Sequence, residues 1–234
     1  MKLPRPGTLE FEALCHKLAN GADYKKEASN YGITEDYLRH RIPRGKYESF
    51  IIDPMLDVVL FDLETSNLRA DFSVILCACL QVPGKDPVVF RNDVVNSNWT
   101  TERKDDYEIT KAIRDELVKH TIIVTHNGTK FDIPYLKAKL IKHHLPALPP
   151  MLHIDTLMVA RKCMFISSRR LENLGNWIFG QGKSRVDGDI WMEAAYDGSK
   201  EAMDHIVEHN IVDCELLGML CQRLQPYIRQ IQRI

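Results

Sequence analysis

One stretch, VVLFDLETSN at residues 58–67, constrains this chain more than any other, because it predicts a buried strand that carries charge. Residues 58–61 are apolar and β-prone, yet Asp62 and Glu64 follow where the pattern requires core residues. Side chains alternate along a strand, so both carboxylates point to one face. Two buried like charges repel each other and lose hydration, and a divalent cation between them removes both penalties. The strand therefore predicts a site for a hard cation such as Mg²⁺ or Mn²⁺.

The order of the predicted elements indicates an α/β fold with a mixed sheet. Three strands, at residues 56–65, 72–82 and 87–92, are joined by short polar turns, which favours an antiparallel meander. Two later strands, at residues 121–127 and 151–156, alternate with helices, and the two patterns together argue for a mixed α/β sheet flanked by helices. The predicted helices of this region cover residues 106–120, 131–144, 156–164, 168–179 and 199–224.

A small helical segment at residues 1–50 is predicted to precede a larger domain at 51–234. One helix is expected at residues 8–21, and two more flank a turn at Gly32, with Thr34 as a cap. The spacing is typical of a helix-turn-helix. Basic residues follow the last of these helices and suit a DNA phosphate backbone, namely Arg39, His40, Arg41, Arg44 and Lys46. A packing arm or a docking module for a partner is the alternative.

Composition excludes several classes of protein. The net charge of −1 over 234 residues gives no global basic field, although local basic patches remain possible. The six cysteines are scattered, without the two-residue gap of a zinc knuckle, so we expect reduced core cysteines and no zinc. No apolar run approaches the roughly 20 residues of a membrane span, and the N-terminus carries no secretory signal. We therefore expect a cytoplasmic protein without a membrane partner.

Two further segments offer acidic ligands. The segment THNGTKFDIPYL places Asp132 after a strand and a loop, at the start of a helix. The segment EHNIVDCELL places Asp213 in the middle of a long helix, with His209 one turn earlier on the same face. Each signal is weak alone. Asp132 is also explained as a helix N-cap, Asp213 as the partner of a neighbouring Lys or Arg, and the carboxylates of the first strand as a solvated strand end.

Taken together, FDLET, HNGTKFDIPYL and HNIVDCELL resemble the three exonuclease motifs of the DEDD nucleases. The resemblance is closest to the proofreading exonuclease domain of B-family DNA polymerases and its stand-alone bacterial or phage relatives, and it covers residues 56–225. It implies a ribonuclease H-like sheet and a metal-dependent 3′–5′ exonuclease that acts on single-stranded DNA 3′ ends. It also implies two Mg²⁺ or Mn²⁺ ions, with four carboxylates as ligands: Asp62, Glu64, Asp132 and Asp213.

The same resemblance implies a division of roles. Asp62 bridges the two ions, Glu64 holds the ion on the nucleophile side and orients the water, Asp213 shares that ion, and Asp132 acts on the other side. Two ions about 4 Å apart can activate a water and stabilise the leaving 3′ oxygen. Ribonuclease or endonuclease activity on the same fold is a rival interpretation. A nucleic-acid-binding module that does not cut is another.

One position departs from the family pattern. The subgroup that this chain most resembles has Tyr four residues before the last Asp, where this chain has His209. The other subgroup has His five residues before, where this chain has Glu208. A histidine can orient or deprotonate the attacking water, because its ordinary pKa is near 6.5. A supporting or substrate-facing role for His209 is the alternative.

Several other residues are candidates for substrate contacts. Basic residues beside the motifs either meet phosphates or form a solvated face: Lys130, Arg161, Lys162, Arg169, Arg170, Lys183 and Arg185. Phe131 and Trp191 either stack on bases or pack in the core. His126 and Asn127 belong either to the strand end or to the substrate site. Asp155 either lies near the site or caps the helix that follows it.

Overall fold

A six-stranded sheet forms the centre of the larger of two compact units, Met1–Met55 and Leu56–Ile234, in the computed structural model of the chain. The structure describes residues 3, 14, 18, 23–41, 57–99, 101–180, 188–228 and 231–234. The strands are β1 (Val58–Thr65), β2 (Ile75–Gln81), β3 (Val88–Arg91), β4 (Ile122–Thr125), β5 (Leu152–Asp155) and β6 (Gln232–Arg233). Their order across the sheet is β3-β2-β1-β4-β5-β6.

The sheet is mixed, as the sequence predicts. Strands β1, β2 and β3 pair antiparallel as a meander. Strand β4 pairs parallel with both β1 and β5, and β6 adds an antiparallel edge to β5. The predicted ribonuclease H-like fold, with parallel and antiparallel strands flanked by helices, is confirmed.

The helices lie close to their predicted positions. They are α1 (Tyr24–Tyr31), α2 (Glu35–Arg41), α3 (Asn92–Val95), α4 (Tyr107–Leu117), α5 (Asp132–Lys142), α6 (Thr156–Cys163), α7 (Leu171–Phe179), α8 (Gly188–Met192) and α9 (Lys200–Leu224). A π-helical turn, Glu193–Asp197, and a 3₁₀ turn, Gln225–Tyr227, flank α9. Three elements were not predicted, namely α3, α8 and β6. Each has five residues or fewer, which is too short for a periodic pattern to emerge.

Different helices cover the two faces of the larger unit's sheet. On one face β1 packs against α4 and α5 in a core that includes Val59, Phe61, Leu63, Ile109, Ile113, Leu117, Leu136 and Leu140. On the other face α9 lies across β1 and β2. A Cβ on Gly218 of α9 would stand only 2.9 Å from Cδ1 of Leu60, so the helix approaches β1 closely at this position. Because side chains alternate along a strand, Asp62 and Glu64 share the face of Leu60 and point toward α9.

The unit Met1–Met55 contains α1 and α2 on either side of a tight turn. Gly32 adopts a left-handed conformation with φ of 66°, which favours glycine, and ends α1. Oγ1 of Thr34 accepts a hydrogen bond from the amide of Tyr37, so the predicted cap of α2 is present. Arg39 forms an ion pair with Glu35 at 2.7 Å and stacks over a tyrosine ring of α1. The helix predicted at residues 8–21 lies outside the described residues, apart from two buried leucines, and Arg44 and Lys46 lie outside them altogether.

The cysteines differ in one respect from the prediction. The five in the described part of the chain are free thiols, and four of them are buried, as expected for core cysteines. Cys163 is exposed, because it ends α6 on the side that faces solvent. Among the described residues, no helix combines the length and the apolar character needed to cross a membrane.

Candidate metal centre

Acidic side chains from β1 and α9 meet at the end of β1. Ligand atoms of Glu64, His209 and Asp213 all lie within 4.8 Å of one another, which is close enough for one ion to contact all three. Asp62 lies beside them, because its Oδ2 accepts a hydrogen bond of 2.7 Å from Nδ2 of Asn210, one residue after His209. Asp62 and Asp213 also line the same groove. The two predicted segments, 145 residues or more apart in sequence, are therefore brought together.

Asp132 reaches the same strand from the other side. It is the first residue of α5, and its Oδ1 accepts a hydrogen bond of 3.1 Å from the backbone amide of Leu63, which lies between Asp62 and Glu64. The N-cap position of α5 belongs to Phe131, so the simple N-cap interpretation of Asp132 does not describe its contact. Only 3% of Asp132 is exposed. Burial, and next the charge of Asp62, raise the pKa of the Asp132 carboxyl well above its ordinary value.

Asn210 was missed by the sequence analysis. It is fully buried, and Nδ2 donates to both Oδ2 and the backbone carbonyl of Asp62, at 2.7 and 3.3 Å. Its Oδ1 accepts a long hydrogen bond of 3.6 Å from Sγ of Cys77 on β2. The amide thus fixes the rotamer of Asp62. The available signal was a polar residue three positions before Asp213, on a helix face whose other buried residues, apart from Asp213, are apolar.

His209 lies on the site face of α9. Its Nε2 is 3.9 Å from Oδ2 of Asp213, and its ring meets the indole of Trp191 edge-on, with 6.0 Å between ring centroids. Glu208, the residue at the spacing of the other subgroup, is exposed. Helical periodicity explains the difference, because a residue four positions before Asp213 shares its face, whereas one five positions before is rotated away. Histidine at this position therefore reaches the acidic cluster.

The loop after β4 is held by Asp155. Its two carboxylate oxygens accept hydrogen bonds from the amides of Asn127 and Thr129, at 2.9 and 3.0 Å, and it also caps α6 through the amide of Leu157. Burial alone would raise the pKa of the Asp155 carboxyl, but these hydrogen bonds outweigh it and lower the pKa below the ordinary value. The capping role considered for Asp155 is confirmed. Nε2 of His126 donates to the carbonyl of Arg169 at 3.0 Å, which ties this loop to the segment before α7.

A groove of about 500 Å³ opens beside Asp62 and Asp213. Its other walls are formed by His126, Asn127, Leu157, Arg161, Ser167, Ser168, Arg169, Arg170 and Leu171. Three of the predicted basic residues therefore lie next to the acidic cluster. Lys162 instead lines a separate cavity near β6, Lys130 is exposed, and Lys183 and Arg185 lie outside the described residues.

The two aromatic candidates for base stacking pack in the protein instead. Phe131 packs against the core beneath α5 and lies 5.5 Å from the ring of Tyr135. Trp191 packs against the core beneath α9 as well as against His209. Core packing therefore explains both residues.

The residues at the end of β1 suit hard divalent cations. Carboxylate oxygens and one imidazole nitrogen are donors that Mg²⁺ and Mn²⁺ accept in proteins. Burial raises the pKa of the Asp132 carboxyl, and the charge of Asp62 raises it further, so both carboxyls would benefit from a nearby cation. A divalent ion between them would neutralise both. The side chains whose ligand atoms cluster are Glu64, His209 and Asp213, and Asp62 and Asp132 make hydrogen bonds beside them.

Asp132→Asn is expected to stabilise the metal-free protein above about pH 4. A raised pKa means that the folded state keeps a proton that the unfolded chain has lost. The free energy of unfolding of wild type therefore falls as the pH rises from about 4 through the raised pKa. The fall is at most about 1.4 kcal/mol per pH unit. Asp132→Asn lacks this dependence of the free energy of unfolding on pH, because its amide does not titrate. Urea unfolding at a series of pH values in a chelator measures it.

Asp155→Asn provides a control of opposite sign, because the lowered pKa of Asp155 makes that carboxylate stabilising near neutral pH. It should lower the free energy of unfolding there. If the free energy of unfolding of Asp132→Asn follows the same pH dependence as that of wild type, the Asp132 carboxyl does not have a raised pKa in the folded protein.

Comparisons with known proteins agree with the fold. A family model described as the RNase_H superfamily matches residues 59–225, so the chain belongs to the RNase H superfamily. The chain is 25% identical, over 158 residues, to a DNA polymerase of Methanocaldococcus jannaschii. The match covers 57% of this chain and 10% of that polymerase. Its fold is similar to that of the family B DNA polymerase from the hyperthermophilic archaeon Pyrobaculum calidifontis. That match has a TM-score of 0.57 and 17% identity, over 73% of this chain and 25% of the other.

The chain thus spans a quarter or less of the length of these two relatives. These matches show the superfamily of residues 59–225 and a similarity to part of two DNA polymerases. The acidic group at the end of β1 could hold a divalent metal.

Proposed function

We propose that this protein is a metal-dependent 3′–5′ exonuclease that removes nucleotides from single-stranded DNA ends. The proposal depends on one observation: carboxylates of β1 and α9 line a groove that three arginines also line, and Asp132 of α5 accepts a hydrogen bond from the same part of β1. Acidic ligands alone would suit many metal proteins. The arginines beside the carboxylates favour nucleic acid as the ligand of the groove, since Arg pairs with phosphate oxygens through two parallel hydrogen bonds.

The proposed ligands are the four carboxylates Asp62, Glu64, Asp132 and Asp213, with Asp62 shared between two ions. When bound, the ions supply an activated water and stabilise the charge on the leaving 3′ oxygen. Glu64 orients the attacking water from the carboxyl end of β1. Asp132 would contribute its carboxylate from α5, and its hydrogen bond to the Leu63 amide fixes its side chain beside β1.

His209 and Asn210 complete the proposed machinery. His209 is proposed to orient the attacking water or to accept its proton, because its Nε2 lies 3.9 Å from Asp213. It occupies the position that Tyr has in the subgroup that this chain most resembles. Asn210 is a positioning residue. It fixes Asp62 through two hydrogen bonds, so the shared carboxylate needs little reorganisation when the ions bind.

The test is digestion of end-labelled single strands. A DNA strand labelled at its 5′ end should shorten stepwise from the 3′ end in Mg²⁺ or Mn²⁺, and a chelator should stop the reaction. An RNA strand of the same sequence and a circular single strand, which has no end, are the matched substrates. Shortening of the DNA strand with an intact circle supports the exonuclease.

Other outcomes overturn the proposal in distinguishable ways. Cleavage of the circle or internal fragments would indicate an endonuclease, and preference for the RNA strand would indicate a ribonuclease. Tight binding of the strand without any product in either metal would indicate a binding module.

A further inference from the structure

The loop between α6 and α7, residues 164–170, forms one wall of the groove and is tied down at three points. Nη2 of Arg169 donates to the carbonyl of Met164 at 2.8 Å, which closes the loop on itself. Nδ2 of Asn173 donates to the carbonyl of Ser168 at 2.6 Å, and His126 binds the carbonyl of Arg169. The loop is therefore attached both to α7 and to the strand end beside the acidic cluster.

This fixed loop presents an aromatic ring to solvent. Phe165 is fully exposed, although the backbone around it is anchored. It stands two residues before Ser167, which lines the groove. Single exposed apolar residues are common and need no explanation of their own. Phe165 differs from an isolated apolar residue because it belongs to the same anchored loop as residues 167–170, which line the groove with Asp62 and Asp213.

Two arginines lie on either side of this ring in the sequence. Arg161 on α6 and Arg170 before α7 are exposed and line the groove with Asp62 and Asp213. Within the described part of the chain neither has a carboxylate partner. Their charges are therefore available to a ligand, whereas Arg39 and Arg91 are engaged in ion pairs.

We propose that residues 161–170 form a subsite for single-stranded nucleic acid, in which Phe165 stacks on an unpaired base and Arg161 and Arg170 bind the flanking phosphates. This assignment rests on the proposed function and adds to it a basis for strand selection. A base that stacks on Phe165 cannot be paired with a complementary strand at the same time. The subsite would therefore favour single strands over duplex ends.

Binding is best measured in the Asp62→Asn background, so that no strand is cut, using fluorescence anisotropy of a labelled single-stranded DNA in Mg²⁺. Phe165→Ala should weaken binding about 5- to 150-fold, since stacking of one base on an aromatic ring is worth roughly 1–3 kcal/mol. Arg161→Ala and Arg170→Ala should each reduce the slope of log Kd against log salt by about 0.7, the value for one phosphate of a single strand. Ile141→Ala and Lys137→Ala, exposed residues of α5 on the other face of the sheet, are the matched controls and should change neither quantity.

A second measurement locates the stacked base. Replacing one nucleotide at a time with an abasic residue should weaken binding most at one position, and Phe165→Ala should abolish that position's effect, as a double-mutant cycle requires. Phe165→Ala binding within twofold of the control, or a loss equal at every abasic position, would overturn the subsite.

The outcome is separable from that of the proposed function. A wild-type protein that shortens DNA from the 3′ end while these variants bind normally refutes the subsite alone. Position-specific loss of binding in a protein that never cuts upholds the subsite and refutes the exonuclease.

Discussion

Asp62→Asn is expected to lower the rate of phosphodiester hydrolysis by on the order of 10³-fold or more. A metal ligand in such a site contributes several kcal/mol of transition-state stabilisation, and each 1.36 kcal/mol corresponds to about tenfold in rate. Asp62 is proposed to be shared between both ions, so its loss should exceed that of any other single ligand. Asparagine has the same shape but no charge, and it can still accept the hydrogen bond from Asn210. The fold should therefore remain intact.

The measurement pairs the rate on an end-labelled strand with thermal unfolding in the presence and absence of Mn²⁺. Binding to the folded state raises the midpoint of wild type by mass action, and Asp62→Asn should lose most of that increase. Asp115→Asn, an exposed carboxylate of α4, is the control and should keep both the rate and the increase. A rate for Asp62→Asn within tenfold of wild type would refute the assignment of Asp62 as a ligand.

How much of the site could be predicted depended on whether a residue breaks a local pattern. Asp62 and Glu64 interrupt an apolar strand. Asp132 and Asp213 stand in segments that resemble known sequence motifs, so all four residues could be named from the sequence. Their roles as ligands remain a proposal. Asn210 gave no comparable signal, because a single Asn in a helix is explained equally well by exposure. Its importance comes from a contact with Asp62 across 148 positions of chain, and no local pattern encodes such a contact.

In the fold, too, features with a local sequence pattern could be predicted and features that depend on distant contacts could not. The strands and the long helices follow from the period of their apolar residues. In the helix predicted at residues 106–120, for example, Ile109, Ile113 and Leu117 recur at helical spacing and are fully buried. Beyond the meander of the first three strands, the sheet order was not predicted, because it depends on which strands meet after a helical crossover, and periodicity carries no information on that choice. The buried network around Asp106 was also missed. Asp106 and Lys139 each occupy an ordinary place in an amphipathic helix or at its start, and only the packing of α4 against α5 makes them partners.

Lys139→Met is expected to cost about 3–5 kcal/mol of stability, which corresponds to a midpoint lower by about 6–20 °C for a domain of this size. Nζ of Lys139 lies 2.6 Å from Oδ2 of Asp106, and both side chains are almost fully buried. The same ammonium donates to the carbonyl of Ser73. Methionine fills a similar volume but leaves the Asp106 carboxylate buried without its main counter-charge. Thermal and urea unfolding measure the loss.

Two variants show that the loss comes from an uncompensated charge and not from altered packing. Lys142→Met removes the half-exposed partner of the same carboxylate, 3.2 Å away, and should cost no more than about 1 kcal/mol. Adding Asp106→Asn to Lys139→Met removes the stranded charge, keeps an acceptor for the amide of Ile75, and should recover at least half of the loss.

Acidification provides a further check on the same pair. Burial alone would raise the pKa of the Asp106 carboxyl, but Lys139 and then His143 lower it below its ordinary value. The stabilisation from a depressed carboxyl pKa is present above about pH 4 and is lost as the pH falls through the folded-state pKa. The deficit of Lys139→Met relative to wild type should therefore shrink in acid, because protonation of Asp106 removes the charge that the substitution left unpaired. A deficit that stays constant down to the acid transition would indicate lost packing around α5 instead of a broken ion pair.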